Sequence, residues 1–206
     1  STHRAGEGRI GQLIAKQRND AMKYGFSLIV RGNSATPATF DAMAEKAEAL
    51  KIDALWASDH LVFPPFITSS YPGRADGQLP DDWKQTYYQP FSVLNYLAAR
   101  TTSVRLGTSV LILPMRNPIE IAAQFSEMDN LTGGRVNFGV GVGWYSEEFD
   151  ALGYPFKDRG KRTNDGLAIM KKLANLNPAD RASRQGGQFE AKYRKTKYHC
   201  DLTSAG

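Results

Sequence analysis

Ser58-Asp59-His60 brings a hydroxyl, a carboxylate and an imidazole into three consecutive residues. His3 and His199 lie towards the two ends of the chain, so His60 is the only histidine in its body. A free imidazole titrates at about pH 6.5, which suits a general base near neutrality. Asp59 is placed to orient that ring; the plainer alternative is a turn-capping Asp59 beside a half-exposed His60. Three other spots invite chemistry. Ser109, in Thr108-Ser109-Val110, is a polar interruption of an apolar run and bonds either a ligand or its own backbone. Gly139-Val140-Gly141-Val142-Gly143-Trp144 alternates glycines within a strand instead of opening a helix, so it is not a dinucleotide fingerprint. Such alternation strips one strand face of side chains. That admits a flat ring walled by Trp144 and Tyr145, or close packing on a neighbouring strand. Glu147-Glu148 is a carboxylate pair suited to a cation or to acid and base work, or else to solvated charges at a helix start.

The elements around these residues follow a repeating order. Residues 24–30, 54–58, 104–113 and 136–143 are short apolar runs, read as strands. Thr36-Pro37 caps a helix whose stripe is Phe40, Met43, Ala44, Ala47 and Leu50. Residues 90–100 give a second helix, with Phe91, Leu94 and Leu97 on one face. Asn117-Pro118-Ile119-Glu120 starts a third, striped by Ile121, Phe125 and Met128 and ended by Gly133-Gly134. Residues 158–176 give a fourth, with Leu167, Met170 and Leu173 inward. Residues 61–89 form a long segment with six prolines or glycines; loops of that length are often functional lids. Four strand–helix repeats with near-continuous apolar strands predict an α/β fold with a parallel sheet. Periodicity does not choose between a doubly wound sheet and part of a (β/α) barrel. In both, reactive groups sit at the carboxyl ends of the strands, where all four spots lie.

Composition narrows the classes. The chain has 206 residues, 41% hydrophobic and 23% charged, with a single cysteine, Cys200. One thiol makes neither an internal disulfide nor a cysteine-rich zinc site, and no metal site is expected. No apolar run is long enough for a membrane helix, and the first 20 residues lack an apolar signal core, so a cytoplasmic protein is expected. The net charge of +5 comes from the ends: residues 1–21 and 157–206 carry excess Lys and Arg, whereas residues 22–156 are mildly acidic. A nucleic-acid-binding domain would place its positive field on the folded body, so no nucleic-acid partner is expected. Residues 1–21 read as a leader or appendage before Met22. Residues 22–176 form the domain, and residues 177–206 a basic, irregular tail.

Several stretches together resemble the bacterial luciferase-like flavin and deazaflavin oxidoreductases: LWASDHL (55–61), the run from Val104 to Trp144, EEFDALG (147–153) and RGKRTNDGLAIMKKL (159–173). The resemblance covers residues 22–173 and is nearest to members that use the deazaflavin coenzyme F-420; FMN-using relatives share most of the pattern. It implies a (β/α) TIM-type barrel, here about four of the eight units, with an isoalloxazine-type ring at the carboxyl ends of the strands. It implies hydride transfer or monooxygenation of a small organic substrate with reduced F-420 or FMN. It places a base or ring contact at His60. It places a strand bulge, often with a non-proline cis peptide under the ring, at Ser109-Val110. It places ring-lining residues at Val142, Gly143 and Trp144.

A half-barrel also suggests other readings: a non-catalytic, oligomeric ligand-binding protein, or an inactive truncated product. A new activity such as hydrolysis is the third, although no GxSxG nucleophile elbow is present. Four units cannot close a sheet. Bare edges on the first and fourth strands, and a concave face carrying Phe26, Trp56 and Leu111 or their neighbours, predict a homodimer or higher oligomer, unless the basic tail covers that face.

Overall fold

Three helices begin in the same way, with proline in the first turn: α1 (Pro37–Ala49), α2 (Pro90–Ala98) and α3 (Pro118–Thr132). A proline there gives up an N–H that has no helical partner, and its fixed φ is already helical. Thr36 Oγ1 accepts from the Thr39 N–H at 3.2 Å, and Asn117 Oδ1 accepts from the Ile119 N–H at 2.9 Å. The structure, a computed structural model, describes residues 22–84, 86–174, 189–193 and 196–200. Two further helices are α4 (Ser146–Ala151) and α5 (Arg159–Ala174). The short α4 has no counterpart among the expected elements.

Strands β1 (Gly25–Ser27), β2 (Ala54–Ala57), β3 (Arg105–Thr108) and β5 (Val136–Asn137) form one parallel sheet in chain order. A doubly wound sheet would reverse its strand order at a switch point. Here the order never reverses, and successive helices pack on one another, α1 on α2, α2 on α3 and α3 on α5. That is the winding of a (β/α) barrel, and the fold is a partial one.

The expected strand 104–113 is broken. β3 stops at Thr108 and β4 (Leu111–Ile112) resumes after a cis peptide between Ser109 and Val110. The expected strand 136–143 breaks in step, into β5 and β6 (Val140–Gly141), and β4 pairs with β6. Thr108 fills the gap in the ladder: its Oγ1 donates to Gly139 O at 2.7 Å and accepts from the Gly139 N–H at 3.1 Å. The strands approach so closely here that a Cβ on Gly139 would fall 2.1 Å from Thr108 O. Close strand packing therefore accounts for the first of the alternating glycines.

The break also corrects the expected faces. In an unbroken strand Leu106 and Leu111 would point to opposite sides. Both are fully buried in the same core beneath the helices, with Leu55, Leu94, Leu97, Phe40, Ile121 and Met128. Leu111 is thus not on the concave face. Trp56 is: its indole lies where a Cβ on Gly25 or on Gly107 would sit, at 2.5 and 2.7 Å. Phe26 is not: it stands in register with the buried Leu55, on the helix side of β1, where it is 54% exposed.

A second correction concerns the tail. Within the region expected to be irregular, β7 (Phe189–Tyr193) and β8 (Thr196–Cys200) pair antiparallel, with Phe189 opposite Cys200 and Tyr193 opposite Thr196. Phe189, Ala191 and Tyr193 alternate with Glu190 and Lys192, a period-two pattern that suits a strand. Residues 1–21 and the rest of 177–206 lie outside the described residues. No described helix is long and apolar enough to cross a membrane.

Candidate active site

β2 ends at Ala57 and delivers Ser58, Asp59 and His60 to the carboxyl edge of the sheet. His60 is only 6% exposed, so it is not the half-exposed residue of the plainer expectation. Its Nδ1 lies 2.8 Å from Glu148 Oε2, on α4. Glu148 is fully buried, and its Oε1 accepts from the backbone N–H groups of Leu61 at 2.5 Å and Val62 at 3.2 Å. Two of the three partners are backbone N–H donors, and an ionised carboxylate accepts from the third as well. With Glu148 accepting, the imidazole donates from Nδ1 and turns Nε2 away from the carboxylate.

The carboxylate next to His60 in sequence does something else. Asp59 is 3% exposed, and its Oδ2 accepts from the Ile112 N–H at 2.9 Å and Arg116 Nε at 3.2 Å. Arg116 Nη2 closes a two-point pair on Asp59 Oδ1 at 2.5 Å. Asp59 thus ties the end of β2 to β4, and it does not orient the imidazole. Gln89 links the two systems: its Oε1 accepts from Arg116 Nη2 at 3.0 Å and its Nε2 donates to His60 O at 2.6 Å.

Glu147 is also withdrawn from solvent chemistry. It accepts from the N–H and hydroxyl of Thr68 at 2.5 and 2.7 Å, and from the N–H and hydroxyl of Ser69 at 2.9 and 2.6 Å. Against the cost of partial burial, these donors hold its carboxyl far below the usual range. Consecutive carboxylates on α4 thus pin two points of the 61–89 segment. The pair is neither a cation site nor a set of solvated helix-start charges.

Aromatic rings close around the histidine. Phe63, Tyr87, Trp144 and Tyr145 lie with ring centres 5.1, 5.4, 6.1 and 6.1 Å from His60, and Trp83 at 6.4 Å. Trp144 stacks on Tyr145 at 5.1 Å. Tyr145 is fully buried and its hydroxyl has no hydrogen-bond partner among the described residues. Burial, with Glu147 and Glu148 nearby, pushes that phenol well above its ordinary pKa. Most of these rings come from the long 61–89 segment, which is fastened to the body by Tyr88 N–H to Val30 O at 2.8 Å and Gly32 N–H to Thr86 O at 3.0 Å. A cavity of 480 Å³ opens within that segment, lined by Phe66, Thr68, Ser70, Gly77 and Asp81 but not by His60.

The other expected residues gather one strand further on. Ser109 and Val110 are exposed at the break between β3 and β4, and Val142 is 45% exposed after β6. A Val110 methyl lies where a Cβ on Gly141 would sit, at 2.3 Å. Val110 thus packs over Gly141, and Val142 is exposed one residue further on, at the strand end. Gly143 holds φ at 77° and its carbonyl accepts from Arg159 Nε at 3.2 Å. Trp144 is half-buried and belongs to the His60 cluster. Sequence reasoning named Glu147-Glu148 but not the role of either residue, and it missed Arg116, Tyr87 and Trp83. Their partners lie too far away in sequence for any local motif to show.

The family model described as luciferase-like monooxygenase matches residues 15–200. An uncharacterized protein of Mycobacterium tuberculosis is 31% identical over 152 residues, 74% of this chain and 53% of that protein. The chain spans about half the length of the curated relatives it matches. The oxygenating constituent of 3,6-diketocamphane monooxygenase from Pseudomonas putida, solved in complex with FMN, aligns with a TM-score of 0.62 at 18% identity, over 87% of this chain and 43% of that one. An F-420-dependent secondary alcohol dehydrogenase, in complex with an F-420–acetone adduct, aligns with a TM-score of 0.62 at 20% identity, over 88% of this chain and 47% of that one. These two likenesses establish the fold; the match to the family model over most of the sequence establishes more: the chain belongs to the luciferase-like monooxygenase family.

Proposed function

We propose that this chain carries the acid–base and ring-binding end of an oxidoreductase that acts on a small organic substrate with reduced FMN or F-420. The observation that carries the reading is the buried His60–Glu148 pair, set under aromatic rings at the carboxyl edge of a sheet whose next strand ends leave Val110 and Val142 exposed. The open strand ends support a flat ring: Val110 and Val142 are 42% and 45% exposed, and Gly141 under Val110 adds no side chain. Leaving two valines open to water at the strand ends costs hydrophobic burial that a bound ring would recover. When bound, the flavin or deazaflavin supplies hydride transfer or, with oxygen, monooxygenation.

The chain's own residues then divide the remaining work. Val110, Val142 and Gly143 seat the ring, and Ser109 offers its hydroxyl and backbone at the rim. Glu148 fixes the imidazole by its Nδ1 proton, so His60 Nε2 is the atom that takes a proton from the substrate or returns one. Asp59 holds the end of β2 in place through Arg116. Phe63, Tyr87, Trp144 and Tyr145 keep water from the imidazole and raise the strength of its electrostatic contacts.

A non-catalytic half-barrel that binds a ligand is the second reading, favoured by the uncovered helix-side face of β1, where Phe26 is exposed. The same face and the edge strand β1 favour pairing with a second copy of the chain. Parallel titrations with FMN and F-420, followed by absorbance and by turnover, test the first reading. Saturable binding of either with substrate-dependent turnover supports it; binding without turnover selects the second reading, and no binding rejects both. Sedimentation giving only a 22.8 kDa species at micromolar concentration overturns the dimer.

A further inference from the structure

Arg31 stands apart from the other arginines of the described body. Arg116 is satisfied by the carboxylate of Asp59, Arg135 by the carbonyls of Thr132, Val104 and Thr101, and Arg162 by Pro114 O. Arg74, Arg100, Arg105 and Arg159 likewise reach carboxylates or carbonyls. Arg31 has no carboxylate or carbonyl acceptor for its guanidinium among the described residues. Its polar side-chain contacts are with hydroxyls: Nη1 reaches Ser58 Oγ at 3.4 Å, and the guanidinium also bonds the Tyr87 hydroxyl. Yet the residue is not a solvated surface charge. It is half-buried, with its guanidinium 3.9 Å from the centre of the buried Trp83 ring.

The surroundings add donors and remove competitors. Ser58 Oγ lies 2.6 Å from Tyr87 Oη. One proton of that hydroxyl pair bonds the two oxygens to each other, which leaves the other proton for an incoming acceptor. Of the nearby carboxylates, Asp59 is engaged by Arg116 and Glu148 by His60 and two N–H groups, so neither competes for Arg31. Tyr87 also packs edge-on to His60 at 5.4 Å, and Trp83 is the next ring round. The unpaired cation thus faces the same enclosure as the imidazole, from the β1 side, whereas Val110 and Val142 lie on the β3–β5 side.

We infer that Arg31, with the Ser58–Tyr87 hydroxyl pair, is a subsite for an anionic group, a carboxylate or a phosphate, on the substrate. This rests on the proposed reading in which His60 acts on a substrate. A guanidinium stacked on an indole keeps its in-plane N–H edge free, the geometry that grips two oxygens of one anion. The site selects small anionic substrates over neutral ones and sets the anion one ring away from His60. A second source of such an anion is the phosphate of the cofactor, and the test separates the two.

Inorganic phosphate and malonate are titrated at constant ionic strength into the cofactor-free chain, with the Arg31 side-chain N–H signals followed by NMR. The expected result is a saturable shift of Arg31, with an affinity, read in every variant from the Trp83 indole N–H, that is weakened about 10-fold or more in Arg31→Gln and about 3-fold or more in Ser58→Ala. Because no cofactor is present, this result stands or falls separately from FMN or F-420 binding. Equal shifts on Arg31 and on the exposed lysines, or unchanged affinity in the variants, overturn the subsite. If Arg31→Gln does not fold, Ser58→Ala decides alone. A loss of FMN or F-420 affinity in Arg31→Gln as large as the loss for malonate overturns the assignment to the substrate.

Discussion

The ends of β2 and of the β3–β5 pair lie side by side but are built in opposite ways. At the end of β2 Asp59, His60 and Glu148 are all buried, and each carboxylate oxygen has a donor. At the end of β3 and β6, Ser109, Val110 and Val142 are open. A buried polar network is costly unless it is fully satisfied, and a satisfied one is rigid. Exposed valines beside glycine form a surface that improves only when something covers it. The contrast teaches a division of labour: the first region holds a proton-handling group in a fixed pose, and the second waits for a flat partner.

The sharpest way to break this comparison is to remove the imidazole. His60→Ala is expected to lower turnover by about 10²–10⁴-fold with cofactor affinity nearly unchanged, read by steady-state rates beside equilibrium titration. An equal loss of affinity would merge the two regions into one. Next comes Glu148→Gln, which keeps the shape but loses the charge. Turnover is expected to fall about 10- to 100-fold. Asp59→Ala acts instead on the fold, costing about 3 kcal/mol in denaturant unfolding, because Arg116 and the Ile112 N–H lose a buried carboxylate.

On the open side, Val110→Asp places a charge at the exposed strand ends. It is expected to weaken ring binding about 10-fold while leaving thermal stability almost unchanged, since Val110 is 42% exposed. The smallest effect lies away from both regions. Glu48 accepts from the N–H groups of Thr102, Ser103 and Val104 and from the Ser103 hydroxyl, and these donors, against desolvation, hold its carboxyl down at about 2. Its pKa in the folded chain lies below the unfolded value, so its stabilisation is complete above about pH 4.5 and is lost as pH falls towards 2. Glu48→Gln is expected to cost about 1 kcal/mol at pH 7 and nothing at pH 2, measured by urea unfolding at both pH values.

Much of the scaffold was legible because its signals are local. Thr36-Pro37 and Asn117-Pro118 announce helix starts in two residues, and the four apolar runs are too short to be anything but strands. The breaks in the third and fourth strands were not legible. They depend on Thr108 meeting Gly139 across the sheet, and they carry Leu111 to the face opposite the expected one. At the site, His60 was singled out by residue type and strand-end position. Its partner was misassigned, because adjacency favoured Asp59 while the fold brings in Glu148 from 88 residues away. The mistake has a simple origin: neighbours along a chain leaving a strand point apart, so Asp59 turns to β4 as His60 turns to α4.

The central claim is that Glu148, and not Asp59, sets the proton on His60, and the ¹⁵N chemical shifts of the His60 ring test it most directly. The account predicts an Nδ1–H, Nε2-bare tautomer in the native chain, preserved in Asp59→Asn and lost to tautomer exchange in Glu148→Gln. An Nε2–H tautomer in the native chain, or a tautomer that responds to Asp59→Asn and ignores Glu148→Gln, would contradict it.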